Sequence, residues 1–313
     1  SCTSFRGYPA VASYSFTIHS IHMKNVSVYE IATQKILTLL EQGVAPWRKS
    51  WTDKLYLPAM NYATRSPYRG FNQLYLSYFY ENPYFMTFKQ VQDRGGRIRK
   101  GAKADLVFFW NWLYLDAQGE KVQEEALAKV RIPQPRFYHV FNATDIEGID
   151  FVYPSNELFT AHERIEHCEE LVKSTGANII HAGNSAAYHP FQDFIRLPEL
   201  QQFNSPEDYY ATLFHELAHW TGHPSRLNRF PEGEPIPAFG SPDYSREELV
   251  AELCSAFVCA HCQIDSPQLD ANNAAYLQAW INKLKGDPKL ILNAAAQAQK
   301  AADLLLQPQE ICL

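Results

Sequence analysis

FHELAHWTGH, residues 214–223, places two histidines four residues apart with a glutamate beside the first. The residues before it read as a helix start. Ser205 suits an N-cap, Pro206 suits the first turn, and Glu207 and Asp208 suit the positive end of the helix dipole. Gly222 supplies the stop. At 3.6 residues per turn, His215 and His219 share one face, where both imidazoles reach a single ion. Glu216 lies beside them, placed to hold a water rather than to ligate. Apolar Leu213, Phe214, Leu217 and Ala218 around the motif predict a helix packed into a core.

A catalytic zinc takes three protein ligands and keeps one position open, so a third donor is expected downstream. The first candidate is EELVAE, residues 247–252, on a helix expected to start at Ser245, with Glu248 and Glu252 one turn apart on one face. This pattern resembles the glutamate helix of gluzincins, including thermolysin-like peptidases. The resemblance implies Glu248 as ligand and Glu252 as the acid orienting a ligand histidine, with an exchange of those roles left open. The second candidate is His223, since HELAHWTGH begins like the metzincin pattern HExxHxxGxxH; Ser225 stands where that pattern wants its third histidine. The expected cofactor is one Zn2+ ion, with another divalent metal as the alternative. The expected chemistry is amide hydrolysis with Glu216 as general base. Tyr209, Tyr210, His223 and Tyr244 are candidate oxyanion donors, and FIRLP, residues 194–198, is a candidate edge strand for an extended peptide.

The remaining chain sets the context. Its 313 residues suffice for two domains, and 46% hydrophobic with 20% charged residues describe a globular protein. No apolar run approaches the roughly 20 residues that span a bilayer, so no membrane partner is expected. Residues 1–22 precede the first methionine, Met23, carry one charged residue, and are read as a tag or disordered leader. Six unevenly spaced cysteines suggest reduced thiols and a cytoplasmic location; Cys259 and Cys262, in CAHC, are read as small buried apolar side chains. Residues 1–150 hold 18 Lys and Arg against 13 Asp and Glu, whereas residues 151–313 hold 10 against 21. The halves therefore have different partners, with a seam expected near residue 155.

In the front half, a helix after Ser27 stopped by Gly43, a short helix capped by Thr87 and Gln90, and strands at ADLVFFWNWLYL and residues 137–141 predict mixed helix and sheet. GVAPWRKSW, NYATRSPYRGFN and FKQVQDRGGRIRKGAK interleave aromatic and cationic residues. Residues 89–103 carry Lys89, Arg94, Arg97, Arg99, Lys100 and Lys103 against one acid, Asp93. Such a stripe tracks phosphates, and Trp47, Tyr68 and Trp110 offer rings that stack on unpaired bases for about 1–3 kcal/mol each. Arg48, Arg69 and Asn72 fall in the same segments. A solvated basic face over core aromatics is the alternative reading.

YEIATQKILTLLEQGVAPWRKSW, PYRGFNQLYL, TFKQVQDRGGRIRKGAKADLVFFW, HVFNATDIEG, HELAHWTGHPSRLNR and YSREELVAEL together resemble the ArdC-type plasmid antirestriction proteins, over nearly all of residues 23–307. The joining of a DNA-binding module to an HExxH site is also similar to Spartan-like proteases. The ArdC resemblance implies an α+β chain in two domains. Residues 23–154 would form a mixed α/β domain that binds single-stranded DNA, and residues 155–313 a mostly helical zincin-like metallopeptidase. It further implies protection of incoming plasmid DNA from host restriction, with an unidentified protein substrate, either DNA-bound or part of the restriction system. Two non-catalytic alternatives remain: a single-strand-binding shield with a structural metal, and a decoy that engages restriction enzymes through the acidic half.

Overall fold

The structure is a computed structural model, and it describes residues 27–48, 57–123, 129–153, 159–230, 241–264 and 274–307. Residues 1–22, Cys2, Cys312 and the expected seam at residue 155 lie outside the described residues.

The N-terminal half holds helices α1 (Val28–Glu41), α2 (Phe71–Phe79) and α3 (Phe88–Asp93). Its strands are β1 (Met60–Asn61), β2 (Ser66–Pro67), β3 (Tyr84–Met86), β4 (Arg97–Ile98), β5 (Asp105–Leu115), β6 (Lys121–Val122), β7 (Val130–Asn142) and β8 (Ile146–Glu147). Six of them form one sheet in the order β2-β1-β3-β7-β5-β6, and β4 pairs with β8. The long β5–β7 ladder is antiparallel and runs from Asp105 opposite Val140 to Leu115 opposite Val130. The caps read in the sequence are formed. The Ser27 side chain accepts from the Glu30 N–H and Thr87 from Gln90, each answered by the reciprocal bond of a capping box.

The C-terminal half holds α4 (Ala161–Thr175), strands β9 (Asn178–His181), β10 (Ala187–His189) and β11 (Phe194–Leu197), and helices α5 (Pro206–Trp220), α6 (Pro242–Cys262), α7 (Ala274–Gly286) and α8 (Leu290–Leu306). The whole is α+β, a sheet-containing N-terminal domain and a C-terminal region dominated by helices. The small sheet has the order β10-β11-β9. β11, expected at an edge, is therefore its middle strand, hydrogen-bonded on both sides, and among the described residues β10 and β9 are the strands with an open flank.

One main core runs through both halves. The buried face of α1, built on Ala32, Ile36, Leu37 and Leu40, packs against α7 and α8. Trp47, 2% exposed, donates its indole N–H to the Tyr276 hydroxyl (3.0 Å) and meets Trp280 edge-on at 6.0 Å. The Thr33 hydroxyl donates to the Pro288 carbonyl at 2.7 Å. Along α8, Ala294, Ala295, Ala298, Ala301 and Ala302 are buried, and these small side chains let other backbones approach closely. Gly70 uses that space. Its φ is +55°, a Cβ there would sit 3.2 Å from the Ala295 carbonyl oxygen, and its N–H donates to the Gln299 side chain at 2.8 Å. A second, smaller core of Tyr62, Tyr84, Met86, Val91, Ala143 and Ile146 belongs to the N-terminal half alone.

Candidate metal centre

Helix α5 begins as its sequence requires, with the Ser205 hydroxyl accepting from the Asp208 N–H at 3.1 Å and Pro206 in the first turn. Helix α6 starts one turn earlier than expected. Ser241 is its cap, accepting from the Tyr244 N–H at 3.1 Å, whereas Ser245 is buried inside the helix and donates back to the Ser241 carbonyl. The two helices pack together, and their facing side chains form a cluster of His215, His219 and Glu248.

The cluster has the dimensions of a coordination shell. His215 Nε2 and His219 Nε2 are 3.2 Å apart; Glu248 Oε2 lies 3.6 Å from His215 Nε2, and Glu248 Oε1 lies 3.5 Å from His219 Nε2. Ligands about 2.0–2.1 Å from a tetrahedral ion sit roughly 3.4 Å from one another, so this donor set fits a divalent cation. Two imidazole nitrogens and a carboxylate also suit such an ion chemically. Hydrogen bonds and charge from His215 and His219, with a bond from Tyr244, outweigh burial and hold the Glu248 carboxyl down at about 2.

His219 is aimed from behind. Its Nδ1 lies 3.2 Å from Glu247 Oε1, which fixes the proton on Nδ1 and turns Nε2 toward the cluster. Glu247 is gripped in turn by Arg229, through Nε at 2.9 Å and Nη2 at 2.8 Å, and the same guanidinium donates to the Ala218 carbonyl and the Thr221 hydroxyl. Burial alone would lower the His219 pKa; the bond to Glu247 and the surrounding carboxylates leave it raised. Burial would raise the Glu247 carboxyl, yet Arg229 and His219 bring it below its ordinary value.

Glu216 is 8% exposed, and its Oε2 accepts the Tyr188 backbone N–H at 2.7 Å. Tyr188 belongs to β10, so an open-flanked strand and the HExxH helix meet at the glutamate. The Tyr188 hydroxyl donates to Asp193 at 2.8 Å, and Asp193 pairs with Arg226, whose guanidinium lies 3.8 Å over Trp220. Burial and the Asp193 carboxylate push the Tyr188 hydroxyl well above its ordinary value. A cleft of about 300 Å³ opens here, walled by Ala187, Tyr188, Phe230 and Tyr244 beside the cluster. Burial, then Glu248, raises the Tyr244 hydroxyl to about 12.

Several expected site residues stand elsewhere. Glu252, expected to orient a ligand, accepts the Tyr276 hydroxyl and lies 3.7 Å from Arg48, in the contact between the halves. Glu247 holds the position assigned to it: one residue before Glu248 on the helix, it is rotated by about 100° and so reaches the second histidine. His223, the alternative ligand, bonds Ser225 through Nδ1 at 2.8 Å within the turn after α5. Of the candidate oxyanion donors only Tyr244 lines the cleft; Tyr209 contacts His181 and Tyr210 contacts Glu169.

The nucleic-acid candidates divide in two. Trp47 lies in the core, so its ring is committed to protein. Arg48 stacks 4.6 Å over Tyr276, Tyr68 packs edge-on against Phe85, and Arg69 pairs with Asp303. Asn72 ties α2 to β5 by exchanging bonds with the Phe108 N–H (2.8 Å) and carbonyl (2.6 Å), and Trp110 packs on the main core. Lys89, Arg97, Arg99, Lys100 and Lys103 are exposed. Lys89 pairs with Asp93 at 2.7 Å, and Arg97 and Arg99 flank Glu147 at 2.7 and 3.7 Å, depressing its pKa. Cys168, Cys254, Cys259 and Cys262 are buried, the last two as read from CAHC. Among the described residues no helix is long and apolar enough to cross a membrane.

Comparison with known proteins agrees with this anatomy. Residues 26–141 match the N-terminal domain of anti-restriction factor ArdC, and residues 166–297 match the zincin-like metallopeptidase family. The Mn(II)-bound crystal structure of antirestriction ArdC protein from the R388 plasmid is similar, with a TM-score of 0.72 and 33% identity, covering 92% of this chain and 100% of that one. Its metal-free form gives 0.69 and 34%, covering 90% and 97%. A DNA primase TraC of Escherichia coli is 37% identical over 296 residues, 89% of this chain. This chain spans 20% of that primase and 27% of a second TraC primase. The uncharacterized protein y4eC of Sinorhizobium fredii is 32% identical, covering 88% of this chain and 90% of that protein. With this coverage, a shared fold and both halves matched, the chain belongs to the ArdC antirestriction family and carries its zincin-like domain.

Proposed function

We propose that the chain is a divalent-metal-dependent peptidase, with zinc as its ion, held near DNA by a single-strand-binding N-terminal half. It would act in the cytoplasm to protect incoming plasmid DNA from restriction. The proposed division of labour falls at residues 23–154 and 155–313. The observation that carries the reading is the three-donor cluster with Glu216 beside it. A structural metal site fills its fourth position with protein and needs no base, whereas here a cleft and a carboxylate stand at the cluster.

His215, His219 and Glu248 are assigned as ligands. A divalent ion there supplies Lewis acidity, polarising a carbonyl and making water a better nucleophile. Glu216 is the general base. The Tyr188 N–H fixes one of its oxygens and leaves the other to take a proton from water and return it to the leaving amine. Tyr244 is the donor for the developing oxyanion, and its raised pKa keeps the hydroxyl protonated across neutral pH. The open flank of β10 is where an extended peptide would pair. Manganese in the R388 relative supports a site tolerant of several divalent ions. Lys89, Arg97, Arg99, Lys100 and Lys103 are the proposed phosphate contacts of the DNA-binding half.

Glu216→Gln is the test. Elemental analysis should find metal content equal to wild type, while proteolysis and protection of plasmid DNA in cells are both lost. Protection that survives the substitution, with metal retained, would overturn the peptidase mechanism in favour of a shield.

A further inference from the structure

The β5–β7 ladder carries aromatic and cationic side chains on its outer stretch. Side chains alternate along a strand, so Val107, Phe109 and Asn111 share one side with their opposite numbers Tyr138, Arg136 and Gln134. Tyr138 is 56% exposed. Its ring lies flat on that of Phe109, with centroids 4.4 Å apart and planes 2° from parallel. The two residues are diagonal neighbours across the ladder, the reach at which aromatic cross-strand pairs meet. Phe109 thus backs one ring face of Tyr138, and the exposure of Tyr138 falls on the other. Arg136, directly opposite Phe109, is exposed and has no acidic partner among the described residues.

The edge of the same ladder is closed. β7 pairs with β3 only at Phe141 and Asn142, so among the described residues its stretch 130–140 has no strand on that flank. Pro133 and Pro135 stand in this stretch, opposite Trp112 and Trp110. Residues two apart direct their backbone nitrogens to the same side, and proline nitrogen carries no hydrogen. The ladder to β5 is intact, so both nitrogens point outward, where an added strand would need donors. An extended peptide therefore finds no edge to join, while the face beside it stays available.

A braced flat ring beside a guanidinium that has no acidic partner among the described residues matches an unstacked base and its phosphate. The N-terminal half also carries the excess of positive charge, 18 Lys and Arg against 13 acids in residues 1–150. We propose that Tyr138, Phe109 and Arg136 form a base-stacking platform for single-stranded DNA, separate from the basic stripe. This rests on the reading that the N-terminal half binds single strands.

The test uses the full chain and a labelled oligothymidylate, titrated by fluorescence anisotropy at several salt concentrations, with thermal melting to confirm the fold. Tyr138→Ala should weaken binding by roughly five- to a hundredfold, while Tyr138→Phe stays within about twofold because it keeps the ring. Arg136→Ala should flatten the log–log salt slope by about one. Trp112→Ala, 51% exposed but on the opposite side of the ladder, should change nothing. Unchanged affinity for Tyr138→Ala, with affinity lost on replacing Arg97 and Arg99, overturns the platform and leaves single-strand binding standing. A loss on Trp112→Ala as large as on Tyr138→Ala overturns it too. A wild-type chain that binds no oligothymidylate even at low salt removes the single-strand reading and the platform with it.

Discussion

The metal cluster and the basic stripe hold their charges in opposite ways. At the cluster each functional side chain is aimed by another: His219 by Glu247, Glu247 by Arg229, Glu216 by the Tyr188 N–H. On the stripe, Lys100 and Lys103 stand in solvent, and Arg97 and Arg99 share one half-buried glutamate. A site that grips one small ion requires fixed distances. A surface that follows a flexible phosphate chain requires only sign and density of charge. The contrast separates residues by what their loss should cost.

The largest effect is expected where the two halves meet. Trp47→Ala should lower stability by about 3–5 kcal/mol, because it empties a core site and removes the indole donor to the Tyr276 hydroxyl; urea unfolding measures it. An effect below about 1 kcal/mol would mean that the halves are stable independently. Next comes the brace behind the metal. Glu247→Gln should weaken metal affinity by about 10–100-fold with the ligands unchanged, read by competition with a chromophoric chelator. Unaltered affinity would show that His219 needs no orienting acid.

With its folded pKa near 2 against an ordinary 4.5, Glu248 adds stability above pH 4.5 that is lost as pH falls toward 2. Acid titration of the metal-free protein, compared with Glu248→Gln, should therefore show the variant less pH-dependent across that window. The smallest stability effect belongs to the stripe. Replacing Arg97 and Arg99 by alanine should shift stability by less than about 0.5 kcal/mol, yet reduce the salt slope of single-strand binding by about two. A stability loss several times larger would make them structural.

The same contrast explains what was legible in the sequence. HELAH could be placed because helical period alone brings His215 and His219 together, and Ser205-Pro206 marks where that helix begins. Glu248 followed from the resemblance of EELVAE to the glutamate helix of gluzincins. Glu247 and Tyr188 did not follow. One was hidden as the neighbour of a ligand, and the other acts through a backbone N–H that no side-chain pattern announces. In the front half the signal was compositional, and composition does not say which way a side chain points. Trp47, Arg48 and Arg69 have the chemistry of a DNA surface but meet the C-terminal half, and Tyr68 and Asn72 pack within the N-terminal half. The Ser245 start failed for a related reason: Ser241, with Pro242 after it, offered the same cap signal one turn earlier.

The seating of α1 against α7 and α8 carries a consequence for biosynthesis. Thr33 and its partner Pro288 are 255 positions apart. At roughly 5–20 residues per second, a ribosome adds that much chain in about 13–50 seconds. Throughout that interval the face of α1 that meets α7 and α8, with Trp47 beside it, lacks those two helices. Chaperone occupancy should therefore be concentrated on α1 and end only when α8 emerges.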